Sequence, residues 1–443
     1  MLSDNFADPN LLTLSPSSAD EVLYHGKAVE QETGLECELE VIARWMPKQD
    51  IRWRAEFGVD LPEVIAGGDG KLAFTLQSVD GYQGFVIEKA HVTSWANKGV
   101  SGWLDGGRMV GLTEEPVESV QFRWVNLPDI GGGEPLATQD DSGRRWYGRQ
   151  RWHLGDWEMT VDPRPGLPEV LAKLKDSYSY AVTHLATLNR VDHQSFTATE
   201  VQPILYAYQL AISFALGRYT SPTLAVATNN SGNVLWREWS ARRADPIGGV
   251  TPWWHITASS LDEVTRLVGR RFLDSQWGRN ATHILQGYIA STHGGFVEQR
   301  ITVGFATIEQ LCWQRKVLEG NEDEKKYDRG LGAADRLRGV LVDASVPLSV
   351  PSHLPVLQQF AQEGGNNGAY DGPAAVAAVR HRLMHPKNAE DLYDRPGLLV
   401  EAWRLLGHYL ELLILHWVGY TGKLHDTSEI PVWSGDVRQV PWT

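Results

Sequence analysis

The sequence predicts a multidomain α+β protein with an N-terminal antiparallel β-rich, sandwich-like domain, a mixed α/β middle region and a C-terminal all-α helical bundle. Three observations support this class. A chain of 443 residues is too long for one hydrophobic core. Short runs of alternating apolar and polar residues fill its first third, and helix-length apolar periodicity fills its last third. The expected regions are residues 1–165, 166–278 and 279–425, followed by a C-terminal tail at 426–443.

Alternation with a period of two marks the strands of the first region. It is clear at residues 37–45 and 120–124, and glycine clusters such as 67–70 and 131–133 separate the runs. The economical architecture for such a segment is an antiparallel sandwich. We expect this region to act as a sensor or regulatory domain for the rest of the chain.

The periodicity changes after the proline-rich stretch 162–166. The middle region is expected to hold helices at 168–176 and 199–217 and a β-hairpin at 223–239 that turns at 229–232. From about residue 259 the pattern becomes helical, with Ser260 as the expected N-cap before Leu261, and it stays helical to about residue 418.

Composition limits the functions that the chain can carry. The 42% hydrophobic and 22% charged residues are typical of a soluble globular protein. The only cysteines, Cys37 and Cys312, support neither a disulfide framework nor a thiolate zinc site. The N-terminus lacks a basic region followed by an apolar run, and no apolar stretch approaches the roughly 18 to 20 residues that span a bilayer. We therefore expect a cytoplasmic protein with no membrane partner.

A formal charge of −14 argues against a surface that binds nucleic acid by bulk electrostatics. Any contact with RNA must therefore be local. The sequence contains no phosphate-binding glycine loop, no HExxH and no His or Cys cluster with metal-ligand spacing. It thus implies no cofactor and no metal.

The residues with the clearest chemistry lie at the end of one predicted helix. Asp371 or Gly372 can cap this helix, Pro373 fits its first turn, and Pro386 is expected to end it at His385. Its buried stripe is expected at Val376, Val379 and Leu383.

The spacing Arg380-His381-x-x-x-His385 resembles the signature of the HEPN (higher eukaryotes and prokaryotes nucleotide-binding) superfamily. An upstream helix at 301–311 contains the Glu-x-Leu element common in that family. A downstream helix ends in Gly419-Tyr420-x-Gly422 and is similar to the closing helix of the ApeA-like branch, named for a bacterial phage-defence protein. The resemblance covers roughly residues 280–425.

This resemblance implies a metal-independent endoribonuclease that cleaves RNA by transesterification through the ribose 2′-OH. Such cleavage needs a base, an acid and a cation, which histidine and arginine supply. Arg380, His381 and His385 are the predicted catalytic residues, and Arg382 and Lys387 are predicted to bind RNA. Positions five apart on a helix diverge by about 140°, so Arg380 and His385 converge only if the helix ends or a second copy faces it. HEPN ribonucleases are typically homodimers, which agrees with this geometry.

The ApeA-like resemblance further implies a role in anti-phage defence, abortive infection or toxicity. The expected partners are an RNA substrate, with tRNA as one candidate, and a phage-derived trigger or an inhibitor. A second basic element at 145–153 alternates so that Arg149 and Arg151 would share one strand face, where they could follow an RNA backbone or simply form a solvated surface.

Three alternatives stay open. The cations at 380–387 could only stabilise a helix C-terminus. The chain could be a non-catalytic HEPN-containing interaction or ligand-binding protein, or its Trp-rich β domain could bind or hydrolyse carbohydrate.

His408 and Glu411, three residues apart on the last helix, are expected to form a satisfied buried pair.

Overall fold

A computed structural model describes residues 20–45, 48–60, 70–81, 84–104, 108–137, 145–248, 252–255, 261–365, 368–385, 390–429 and 436–443. The chain is multidomain, with an antiparallel β-rich N-terminal half and helices that dominate the C-terminal half. It folds into two compact units, residues 1–209 with 220–248 and residues 210–219 with 249–443.

Six strands of the first unit close into an antiparallel barrel in the order β1-β2-β3-β6-β5-β4. They are β1 (Glu21–Glu30), β2 (Glu36–Arg44), β3 (Asp50–Phe57), β4 (Lys71–Leu76), β5 (Phe85–Trp95) and β6 (Gly99–Leu104). The alternating apolar side chains fill its interior, where the rings of Trp53 and Phe74 meet edge to face with centroids 5.1 Å apart. The predicted strands are confirmed, but the predicted sandwich is wrong here, because β4 pairs with β1 and closes the sheet.

A second antiparallel sheet of eight strands has the order β7-β14-β13-β8-β12-β11-β10-β9. Its strands are β7 (Arg108–Gly111), β8 (Ser119–Val125), β9 (Glu134–Ala137), β10 (Arg145–Leu154), β11 (Trp157–Pro163), β12 (Val182–Arg190), β13 (Ser221–Thr228) and β14 (Val234–Trp239). The predicted β-hairpin of the middle region is confirmed as β13 and β14. The predicted helices are confirmed as α1 (Leu167–Ser177) and α2 (Ala198–Leu216).

The eight-stranded sheet continues across residue 165, where the sequence predicts a domain boundary. Strand β11 pairs with β12, and β8 lies between β12 and β13. Strands before and after the proline-rich break therefore share one sheet, so the break is a connection inside a domain. Pairing between strands far apart in the chain is the reason that local composition misplaces this boundary.

The second unit is mainly helical. Its helices are α3 (Leu261–Phe272), α4 (Gly278–Thr292), α5 (Val297–Trp313), α6 (Glu324–Gly330), α7 (Ala333–Asp343), α8 (Pro355–Glu363), α9 (Gly372–Met384), α10 (Glu390–Tyr393) and α11 (Leu398–Val418), with a π-helical turn at Gln314–Leu318. Helices α4 and α5 approach closely at Gly287. A Cβ at this position would lie 2.2 Å from Thr307 Oγ1, so the contact requires glycine. The predicted N-cap Ser260 lies outside the described residues.

The C-terminal region is not purely helical. Strands β15 (Lys423–His425) and β16 (Val437–Gln439) pair antiparallel after α11. The prediction of an all-α region to residue 425 followed by a tail is therefore wrong at this end. Each strand has only three residues, which is too short for the alternation of apolar and polar residues to show in the sequence.

Candidate functional site

Helix α9 carries the predicted motif and begins and ends as its sequence indicates. The Asp371 carboxylate accepts a hydrogen bond from the Ala374 N–H at 2.9 Å and caps the helix. Pro373 occupies the first turn, where a missing N–H costs nothing. At the other end, His385 has an extended backbone (φ −123°, ψ 108°) and its N–H bonds to the His381 carbonyl. Residue 386, the predicted helix breaker, lies outside the described residues.

The buried stripe of α9 is confirmed at Val376 and Val379, which are at most 1% exposed. Leu383 is only half-buried, so the stripe fades toward the C-terminal end. The last turn of α9 therefore reaches the surface. That end carries the motif.

Arg380 points from α9 toward α5. Its guanidinium lies over the ring of Phe305 at 5.4 Å, and its Nη2 atom is 3.6 Å from Glu309 Oε2. Glu309 belongs to the Glu-x-Leu element that forms part of the resemblance to the HEPN superfamily. The ion pair is longer than a hydrogen bond, and the buried Arg380 Nε has no hydrogen-bond partner. Arg380 is thus oriented by α5 while its hydrogen-bonding capacity is incompletely used.

His381 and His385 form a second part of the motif. Both side chains are exposed, and their ring centroids are 4.4 Å apart with planes inclined by 46°. Residues four apart share one face of a helix, which explains the contact. The structure therefore pairs the two histidines and directs Arg380 toward α5.

Of the two residues predicted to bind RNA beside the motif, Arg382 lies within the described residues and Lys387 does not. Arg382 lies over the ring of Phe360 at 4.8 Å, and its Nη1 atom is 3.9 Å from Asp391 Oδ2. Its guanidinium is therefore held loosely near the motif. Lys387 lies outside the described residues.

Arg149 and Arg151 of the first unit, predicted to bind RNA, are both bonded to carboxylates of the sheet. Strand β10 changes register between Tyr147 and Arg149, so Arg149 and Arg151 lie beyond the irregularity and still share one strand face. Arg149 is buried and forms two hydrogen bonds of 2.7 Å to Asp162. Arg151 bonds to carboxylates of β9 and β11, including Glu134 at 3.0 Å. Both guanidinium groups are thus held by carboxylates of the sheet, and RNA binding by either one stays a prediction.

Sequence reasoning missed a buried carboxyl network on α11. Glu411 is 3% exposed and accepts hydrogen bonds from the hydroxyls of Tyr288, at 2.8 Å, and Thr427. Burial raises the pKa of Glu411 to about 8. His408 faces Asp426, with His408 Nδ1 3.5 Å from Asp426 Oδ1, so the predicted pairing of His408 with Glu411 is wrong. The sequence did show that Glu411 interrupts the nearly all-apolar α11, which indicates a buried polar contact. It could not show the partners, because they come from segments distant in the chain.

The described residues lack two kinds of feature. They contain no group of three or more His, Cys, Asp or Glu side chains placed to hold a metal ion. Among their helices, none combines the length and the apolar character that crossing a membrane requires.

Comparison with known proteins relates both units to one set of domains. Residues 113–250, which include most of the eight-stranded sheet, match the family model described as the YopA central domain. Residues 274–438, which include α9 and Glu309, match the model described as the YopA C-terminal domain.

One curated relative is similar to the chain over most of its length. Over 359 residues the chain is 28% identical to the SPbeta prophage-derived uncharacterized protein YopA of Bacillus subtilis (strain 168), and the similarity covers 78% of each chain. No solved structure matches the chain significantly.

Proposed function

We propose that the chain is a metal-independent endoribonuclease with a HEPN-type site at the C-terminal end of α9. The observation that carries the proposal is the pair of exposed, contacting imidazoles of His381 and His385 beside the incompletely bonded guanidinium of Arg380. These are the residue types that acid–base cleavage of RNA requires. They lie in the region of the HEPN resemblance, for which the helices α4, α5, α9 and α11 would form the bundle.

The proposed reaction is an internal transesterification. One imidazole removes the proton from the ribose 2′-OH, and the 2′-oxygen forms a bond to phosphorus. The bond from phosphorus to the 5′-oxygen breaks, and an imidazolium donates a proton to that oxygen. The products are a 2′,3′-cyclic phosphate and a 5′-hydroxyl. Arg380 stabilises the charge that builds on the phosphoryl oxygens, since guanidinium binds them in a two-pronged geometry.

A homodimer fits this chemistry. Arg380 contacts α5 while the histidines pair with each other, so a second copy would bring an Arg and a His from different chains to one phosphate. The relative's printed name marks it as prophage-derived. We therefore propose a role in the conflict between phage and host, such as defence, abortive infection or toxicity, with tRNA as a candidate substrate and a phage-derived trigger or inhibitor as partner.

The test is RNA cleavage by the full-length protein in the presence of EDTA, with total RNA and tRNA as substrates. We expect cleavage with cyclic phosphate ends, and a loss of at least a hundredfold in His385→Ala, in line with the contribution of one acid or base. Arg380→Lys should also impair cleavage severely, because a point charge cannot replace the guanidinium fork. His283→Ala, which alters an exposed histidine on α4, is the matched control and should cleave normally.

Thermal unfolding of each variant separates lost chemistry from misfolding. Sedimentation at micromolar concentration tests the homodimer, and a monomer with full activity would contradict the shared site. A folded wild-type protein that never cleaves RNA would instead support a non-catalytic interaction module. Activity that disappears in EDTA and returns with magnesium would indicate a different nuclease chemistry.

A further inference from the structure

A cavity of about 400 Å³ opens in the second unit. Its walls come from residues 346–353, from α11 between 405 and 412, and from the segments 424–428 and 438–441. None of the lining residues belongs to the motif.

The cavity is also remote from the motif. The lining residue Tyr409 contacts the start of α9. Its hydroxyl oxygen lies so close to Gly372, the first residue of α9, that a Cβ there would be 2.1 Å from that oxygen. Helix α9 has 13 residues, so His385 lies about 20 Å further along it.

One wall of the cavity is polar, and both carboxylate oxygens of its Asp426 already accept hydrogen bonds from the protein. Asp426 Oδ1 accepts a hydrogen bond from the Ser428 hydroxyl at 2.5 Å, and Asp426 Oδ2 accepts one from Arg438 Nη1 at 2.8 Å. Because the Ser428 proton is donated to Asp426, the His353 Nε2 atom, 2.9 Å from Ser428 Oγ, must be the donor in that contact. Ser428 is therefore not activated as a nucleophile, and Asp426 is not free to bind a cation.

The remaining lining favours an uncharged ligand with a flat body. Arg438 is already paired with both Asp426 and Glu429, and His408 and His353 add imidazole edges. The apolar part of the wall includes three prolines and three leucines, namely Pro347, Pro351, Pro441, Leu405, Leu412 and Leu424. Proline rings and leucine side chains pack against the face of a ring, and a volume of this size is typical of small-molecule sites.

We propose that this cavity binds an uncharged heterocycle of the nucleobase type, free or as a nucleoside. Its ring would lie between the prolines and leucines, and its polar edge would face His353 and His408. This site is separate from the proposed ribonuclease site and does not depend on it.

The experiment is saturation-transfer NMR on the full-length protein with adenosine, guanosine, cytidine and uridine as separate probes. We expect saturable binding of at least one nucleoside. Ser349→Trp places an indole at the exposed rim of the cavity and should weaken that binding at least tenfold. Ser275→Trp, at an exposed serine between α3 and α4 of the same unit, is the matched control and should bind as the wild type does.

Two further variants sharpen the result. His353→Ala removes one hydrogen-bonding edge and should weaken binding roughly twofold to twelvefold, the equivalent of about 0.5 to 1.5 kcal/mol. His385→Ala, which tests the ribonuclease proposal, should leave nucleoside binding unchanged. Binding of no nucleoside by the folded wild type, unaltered binding in Ser349→Trp, or loss of binding in His385→Ala would each overturn the proposal.

Discussion

Glu411 should make the stability of the second unit fall as the pH rises. This carboxyl is buried on α11 and its hydrogen-bond partners are the two hydroxyls of Tyr288 and Thr427. Burial disfavours the ionised form and raises its pKa from 4.5 to about 8. The folded protein therefore keeps a proton that the unfolded chain releases between these two pH values.

The sign and size follow from proton linkage. Where the folded state binds more protons than the unfolded state, the free energy of unfolding decreases with increasing pH. The stabilisation from protonated Glu411 is complete below about pH 4.5 and is lost by about pH 8. At about 1.36 kcal/mol per pH unit, the loss amounts to roughly 5 kcal/mol, as an upper bound. This is a large fraction of the stability of a typical domain.

Glu411→Gln keeps the shape of the side chain and removes the titration. The variant should match the wild type at pH 5 and exceed it in unfolding free energy by about 2 to 5 kcal/mol at pH 8.5. Because the chain has two units, unfolding in urea is best followed by pulse-labelling hydrogen exchange at one labelling pH, on peptides from α4 and α11. Glu324→Gln changes an exposed residue and serves as the control. If the unfolding free energies of the wild type and Glu411→Gln changed in parallel with pH, Glu411 would not be the source of the pH dependence.

Three other predictions concern stability and are checked by thermal or urea unfolding. Gly372→Ala should destabilise the second unit, because its Cβ would lie 2.1 Å from the Tyr409 hydroxyl oxygen. Adding Tyr409→Phe, which removes that oxygen, should recover part of the loss, whereas simple additivity would contradict the contact. Asp371→Ala removes both the cap of α9 and the paired hydrogen bonds to Arg338 and should cost about 1 to 3 kcal/mol, while an effect below 0.5 kcal/mol would deny the cap a role. Burial lowers the pKa of His184 in the first unit from 6.5 to about 3, so that unit should lose stability as the pH falls below 6.5. His184→Leu should flatten this acid limb, and an unchanged limb would exclude His184 as its cause.

Local chemistry in the sequence predicted the helix that carries the candidate site. A cap at Asp371, a proline in the first turn and an end at His385 define α9, because capping and proline geometry act within a few residues. The strands of the first unit were predictable for the same reason, since period-two alternation is local. The sequence therefore identified the motif's position and the element that holds it.

Contacts between distant segments were not predictable in this way. Closure of the barrel depends on β1 meeting β4, and Arg149 is removed from the surface by a carboxylate on a neighbouring strand. The network of Glu411 joins α4, α11 and the segment after α11. No local pattern encodes such a meeting, because it depends on which faces pack together after the elements have formed.

The cations of the two units differ in a way that bears on where RNA can bind. In the sheet, Arg149 holds Asp162 through two hydrogen bonds of 2.7 Å, and a phosphate would have to replace both inside a buried site. In the helical unit, Arg380 and Arg382 lie 3.6 and 3.9 Å from single carboxylates and rest on aromatic rings. A partly exposed ion pair without a hydrogen bond contributes about 0 to 1 kcal/mol, so a phosphate that forms two charge-assisted hydrogen bonds can displace it. In a chain with a formal charge of −14, such loosely paired arginines are therefore the two described cations of the motif at which the proposed local contact with RNA would cost little.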